Sequence, residues 1–234
     1  MYPEPVTMAI VACISERNAK ACVTAIKKAR LQGATIVEPR MDFLGDKSAI
    51  AGIIRQSPLP VMATCRKKCD GGAYSGPEDK RLEMLELAIA ARPAYVDVEL
   101  ELGGWMIGRF RRMAQENGCR TIVSKHSGGT PSMGVLVKWM EKAAELGDIV
   151  KIVTTAESAG DCVNVLRLLR IAESRGIRLA AFAMGEPGKI TRVASLMLGS
   201  PFAYCPLSGE VAPGQMTIRE MRLAMGLFGI GQSR

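Results

Sequence analysis

The 234-residue chain is 48% hydrophobic and 23% charged, the balance of a soluble globular protein, and one α/β barrel of about 250 residues would accommodate residues 1–234 without a second domain. A net charge of +8 suits either a nucleic-acid surface or a field that gathers small anions; with 5% aromatic residues and no basic run longer than Arg66-Lys67-Lys68, the anion reading is preferred and no nucleic-acid partner is expected. No apolar run approaches the ~18 residues of a membrane span, the N-terminal stretch lacks the basic cluster of a signal peptide, and seven scattered cysteines with one histidine support neither a disulfide framework nor a zinc site, so a cytoplasmic protein with no membrane partner, metal or cofactor is expected.

Short apolar runs alternate with helical patterns along the whole chain. Strands are predicted over 7–14, 34–39, 60–65, 94–99, 120–125, 148–153, 178–183 and 201–205. Helices are predicted over 17–31, 46–56, 77–91, 104–117, 131–146, 158–174, 188–198 and 215–227. Ser75 and Glu78 have the spacing of a capping box, and Thr130 before Pro131 is a similar start. Gly33, Gly118, Gly147 and Gly176 stand where helices should stop in a left-handed turn. Cys162, Val165, Leu166, Leu169 and Ala172 form one apolar stripe at helical spacing. Nearly all-apolar strands in eight successive βα units predict a parallel sheet covered by helices, most simply closed as a single-domain (β/α)8 TIM barrel.

In such a barrel the active site lies at the C-terminal ends of the strands. The second strand ends in VEPRMDFL, with Glu38, Arg40 and Asp42; the third in ATCRKKCDGG, with Arg66 and Asp70; the fifth in His126. Lys151 stands inside the sixth strand, DIVKIV. A buried lysine among apolar neighbours and other cations loses its proton more readily and can condense with a ketone. The resulting iminium acidifies the adjacent carbon, and a histidine is the natural base for that proton. His126 one strand before Lys151 therefore points to elimination or aldol chemistry. Blander readings stand beside this one. His126 also fits a structural hydrogen-bonder, Lys151 an outward-facing strand residue, and Glu38 with Arg40 a buried ion pair. GEPGKIT at 185–191 has two residues between its glycines where a phosphate loop needs four, and no dinucleotide fingerprint follows the first strand.

Together these segments resemble the type I 3-dehydroquinate dehydratases. VEPRMDFL is similar to that family's Glu-x-Arg-x-Asp signature, ATCRKKCDGG to its Arg-containing Gly-Gly loop, YVDVEL to its fourth strand and VSKHSGGTPS to its histidine segment. DIVKIV is similar to its lysine strand, AFAMGEPGKITRVASLMLGSPFAY to its Met-Gly and Ser/Thr-Arg segments, and VAPGQMTI to its Ala-Pro-Gly-Gln lid. The resemblance runs in order from residue 37 to 218. It implies dehydration of 3-dehydroquinate to 3-dehydroshikimate through a Schiff base on Lys151, with His126 as base and Asp70 beside it. It further implies Glu38, Arg40 and Arg66 on the substrate hydroxyls, Arg192 on the carboxylate, Gln215 closing from the lid, Met184 as an apolar wall, and a homodimer. Two departures stand out: Asp70 replaces a glutamate, and Val211 replaces a lid serine. Another Schiff-base barrel lyase or class I aldolase, or a basic RNA-binding barrel, is the alternative.

Overall fold

The computed structural model describes residues 8–207 and 214–231. Among these residues the strands are β1 (Ala9–Ile14), β2 (Ile36–Pro39), β3 (Met62–Thr64), β4 (Tyr95–Glu99), β5 (Arg120–His126), β6 (Ile149–Thr155), β7 (Leu179–Met184) and β8 (Phe202–Pro206). The helices that follow them are α1 (Ala19–Gln32), α2 (Ala49–Arg55), α3 (Glu78–Ala90), α4 (Gly103–Glu116), α5 (Met133–Leu146), α6 (Ala159–Ser174), α7 (Lys189–Met197) and α8 (Ile218–Leu227).

Every ladder is parallel. Strand order runs β2-β1-β8 in one sheet and β3 through β7 in the other, and the bridges Val37↔Val61 and Arg40↔Thr64 join β2 to β3. Closure is visible in how the apolar residues partition. Along β1, Ala9, Val11 and Cys13 enter a central cluster, while Ile10, Ala12 and Ile14 enter the layer between sheet and helices. The central cluster draws residues from seven strands, and Tyr95 of the eighth, β4, packs against it, so the strands enclose one interior. No ladder joins β7 to β8 among the described residues, yet the rings of Phe182 and Tyr204 meet across that seam with centroids 5.6 Å apart. The fold is a (β/α)8 barrel.

Helix ends correct several local expectations. Gly33, Gly118 and Gly176 have positive φ, but Gly147 is extended at φ −133°, ψ 176°. What Gly147 provides is space, since a Cβ there would lie 2.5 Å from Val123 Cγ2. The Ser75–Glu78 capping box does not form, because Glu78 receives both Nε (2.9 Å) and an Nη (2.8 Å) of Arg81 instead. Thr130 is likewise no cap; its hydroxyl donates to the Thr155 carbonyl (3.0 Å), and α5 starts after Ser132. Reciprocal capping occurs at α8, where Thr217 N–H donates to Glu220 (2.7 Å) and Glu220 N–H donates to the Thr217 hydroxyl (3.2 Å). That cap makes α8 begin at residue 218 and leaves residues 215–217 outside it, contrary to the predicted start. In α6 the buried stripe includes Leu168, while Leu166 is only half-buried.

Candidate active site

A small cavity opens among the C-terminal ends of the strands, about 70 Å³ in volume. All nine residues singled out from the sequence line it: Glu38, Arg40, Arg66, Asp70, His126, Lys151, Met184, Arg192 and Gln215. Cys13, Thr64, Val153, Phe182 and Tyr204 complete most of its wall. Four of the lining side chains are cations (Arg40, Arg66, Lys151, Arg192) against two carboxylates (Glu38, Asp70), a balance that favours an anionic guest.

Lys151 owes its direction to strand alternation. Val150 and Ile152 enter the outer layer and Ile149 and Val153 the central cluster, so Lys151 points inward. Only 4% of it is exposed. Its Nζ lies 3.2 Å from Asp97 Oδ2, 3.7 Å from Glu38 Oε1 and 4.2 Å from the centroid of the Tyr204 ring. Lys125, the adjacent strand lysine, goes the other way: it pairs with Glu101 and lies over Trp139, 5.1 Å from its centroid, and it is not part of the cavity wall.

Around Lys151 the buried charges alternate in sign. Asp97 Oδ1 pairs with the Arg66 guanidinium (Nη2 at 2.7 Å) and accepts a hydrogen bond from the Ser124 hydroxyl at 2.6 Å. Arg66 Nη1 reaches Glu99 at 3.1 Å and Ser124 Oγ at 2.9 Å, and Arg81 of α3 binds the far side of Glu99 at 3.1 Å. Burial works to raise the Asp97 carboxyl, but Arg66 and Lys151 overcome it and hold the group well below the usual carboxylate range. Glu99 goes the other way: burial pushes it up, and Arg66 and Arg81 offset only part. The blander alternative, a buried Glu38–Arg40 ion pair, is not what forms. Glu38 accepts from the Thr64 hydroxyl (2.9 Å), while Arg40 binds Asp42 through two parallel bonds of 2.9 and 2.7 Å.

Asp42 also builds the loop after β3. Its carboxylate accepts from the N–H groups of Arg66 (3.2 Å) and Ala73 (2.9 Å), one at each end of the loop that carries Asp70. The loop turns back on itself through Tyr74 N–H to Arg66 O (3.1 Å) and Gly72 N–H to Lys67 O (2.8 Å). A Cβ on Gly72 would fall 2.1 Å from Arg66 O, so this turn requires glycine. On the opposite rim, Gly214 at φ 72° packs against Gly185, its Cβ position only 2.5 Å from Gly185 O, and so sets the buried Gln215 beside Met184 at the end of β7. Arg192, in the first turn of α7, has its guanidinium carbon 4.7 Å from the Phe182 ring centre. Val211 lies outside the described residues.

His126 ends β5 beside Val153 and is half-buried. Burial lowers its pKa, and the nearby cations Arg66 and Lys151 lower it further, well below the usual histidine value. A neutral imidazole results. Its Nδ1 is buried and makes no hydrogen bond, and no bond joins it to Asp70. Asp70, one methylene shorter than a glutamate, turns Oδ2 toward Cys69 Sγ at 3.6 Å instead.

Sequence reasoning passed over Asp97, Glu99, Ser124 and Tyr204 as site residues. The first two carried the same signal as Lys151, a charge within a buried strand, and stand two apart so that both face inward. Among the described residues no cluster of three or more His, Cys, Asp or Glu side chains is arranged to hold a metal.

Comparison with known proteins gives one consistent result. Residues 10–232 match the family described as type I 3-dehydroquinase. The chain is 36% identical over 229 residues to a 3-dehydroquinate dehydratase of Methanopyrus kandleri, covering 94% of this chain and 100% of that one. It is 36% identical over 203 residues to one from Desulfotalea psychrophila, covering 85% and 88%. Among solved structures, 3-dehydroquinate dehydratase from Geobacillus kaustophilus HTA426 aligns with a TM-score of 0.89 at 25% identity, covering 97% of this chain and 93% of that one.

Proposed function

The chain belongs to the type I 3-dehydroquinase family, and from that premise we infer that it is a hydro-lyase converting 3-dehydroquinate to 3-dehydroshikimate in the shikimate pathway. We propose that the reaction proceeds through a Schiff base on Lys151. The observation that carries this reading is a buried lysine at the floor of an anion-suited cavity whose wall also holds a neutral histidine.

In this mechanism the Lys151 amine attacks the C3 ketone, and water leaves to give an iminium. The iminium draws electrons from C2, and neutral His126 takes the C2 proton, the state a general base requires. The electron pair then expels the C1 hydroxyl, protonated by the same imidazole, and hydrolysis of the imine releases the enone. Arg192 holds the carboxylate, Glu38, Arg40 and Arg66 hold the ring hydroxyls, Met184 and Phe182 give an apolar wall, and Gln215 closes the open side. Asp70 acts on His126 only after its loop moves, since the resting geometry has no bond between them. A cytoplasmic homodimer belongs to the same proposal, supported by the family; no described helix is long and apolar enough to cross a membrane.

Borohydride added with substrate should fix a covalent adduct on the peptide containing Lys151. A label on Lys125 or Lys189 would overturn the assignment, and full activity with no adduct anywhere would remove the Schiff base.

A further inference from the structure

We propose that Tyr204 is a catalytic residue: the face of its ring stabilises the positive nitrogen formed when Lys151 condenses with the ketone. This rests on the Schiff-base reading above. Nζ of Lys151 lies 4.2 Å from the ring centroid, and both side chains are buried, at 4% exposure each. The negative face of an aromatic ring attracts a cation most strongly where water is excluded.

The ring cannot swing away. Phe202 meets it edge-on at 6.1 Å, Phe182 packs at 5.6 Å, and its hydroxyl lies 3.4 Å from Met62 Sδ across the barrel. The hydroxyl is thus directed at a thioether, and burial together with Glu38 and Asp97 pushes the phenol well above its ordinary value. The π face is what Lys151 meets.

Condensation changes which partners the nitrogen keeps. His126 first takes a proton from the lysine nitrogen, and the freed Nζ lone pair forms the C–N bond while the carbonyl π pair moves to oxygen. Proton transfer from nitrogen to that oxygen gives a neutral carbinolamine. The C–O bond then breaks, and the hydroxyl leaves as water with a proton returned by His126, the group that took it from the lysine. The nitrogen lone pair becomes the C=N π bond, and the nitrogen is left cationic with one N–H. That single N–H can serve Asp97 at 3.2 Å, so Glu38 at 3.7 Å loses its donor. Contact with the ring face needs no N–H and survives the change. It therefore acts on the step where positive charge develops from a neutral precursor.

The test follows adduct formation by rapid borohydride quench and mass spectrometry, at a pH where each protein's rate no longer changes. Tyr204→Phe keeps the ring face and removes only the hydroxyl, so its rate of adduct formation is the reference for the ring-face series. Phenylalanine analogues carrying three or five ring fluorines at position 204 keep the ring's shape but deplete its face. They should slow adduct formation progressively, toward the roughly 30-fold expected for loss of a desolvated cation–π contact. Thermal unfolding of each protein verifies that the barrel is intact. Equal rates across the fluorinated series, with the adduct still forming on Lys151, would overturn the role of Tyr204 alone. Active proteins with no adduct in any variant would overturn the Schiff-base reading on which it rests.

Discussion

A guanidinium recognises a carboxylate through two parallel N–H···O bonds, so the proposed role of Arg192 can be separated from a purely structural one. Charge-assisted bonds of this kind contribute about 1.5–3 kcal/mol, and Arg192→Ala should raise KM by roughly 10- to 150-fold. Arg192→Lys should recover only part of that, because an ammonium offers a point charge and no fork. Steady-state kinetics and thermal unfolding on one preparation decide the matter: an unchanged KM in a destabilised protein would assign Arg192 to packing against Phe182. At this scale the site was legible wherever a charged side chain interrupted a buried strand. Lys151 stood out for that reason, Glu38 and Arg66 because they stand where strands end, and the same rule applied to YVDVEL would have found Asp97 and Glu99. Arg81 offered no such cue. A basic residue on an amphipathic helix ordinarily meets water, whereas this one is fully buried between α3 and the sheet, held by Glu78, Glu99 and the Cys65 carbonyl.

Elements, by contrast, were legible almost throughout, since short all-apolar runs alternate with helices of period 3.6 along the whole chain. What periodicity does not carry is the tertiary use of a polar side chain. Glu78 had the spacing of a capping partner but was taken by Arg81, and Thr130 looked like a cap but ties its loop to Thr155. The loop from Arg66 to Tyr74 is the clearest case, because what holds it comes from another element. Asp42, from the turn after β2, satisfies Arg40 and the N–H groups of Arg66 and Ala73. Its side chain is fully buried. Asp42→Ala leaves a mostly buried guanidinium without its carboxylate, which should cost about 3–5 kcal/mol. For a chain of this length that corresponds to a fall of roughly 6–20 °C in Tm. Faster amide exchange should concentrate in residues 66–74, with a raised KM because Arg66 and Asp70 ride on that loop. If exchange rose evenly through the barrel, Asp42 would be supporting the fold in general and not this loop.

Placing so many ionised groups inside one barrel makes the stability of the whole molecule depend on pH, and the sign can be worked out group by group. Asp97 has a folded-state pKa below its ordinary 3.8, so its contribution is present above that value and is lost only in strong acid. His126 has a folded-state pKa below its ordinary 6.5. The unfolded chain therefore takes up a proton near 6.5 that the folded chain refuses, and stability falls as pH drops below that point. Glu99 is raised above its ordinary 4.5 and acts in the opposite sense: its contribution is present below 4.5 and is lost as pH rises through the folded value. Above about pH 7.5 His126 and Asp97 keep their charge states in both folded and unfolded chains. Below 6.5 the histidine acts first, and since the described chain has only this one, the effect has a single source. The midpoint of thermal unfolding should accordingly decline as pH is lowered from 7 to 5. His126→Gln, which keeps a polar side chain that does not titrate, should flatten that decline or turn it slightly upward as Glu99 begins to take up its proton. Parallel curves for the two proteins would mean that surface carboxylates, and not the imidazole facing Arg66 and Lys151, govern the acid side of the stability profile.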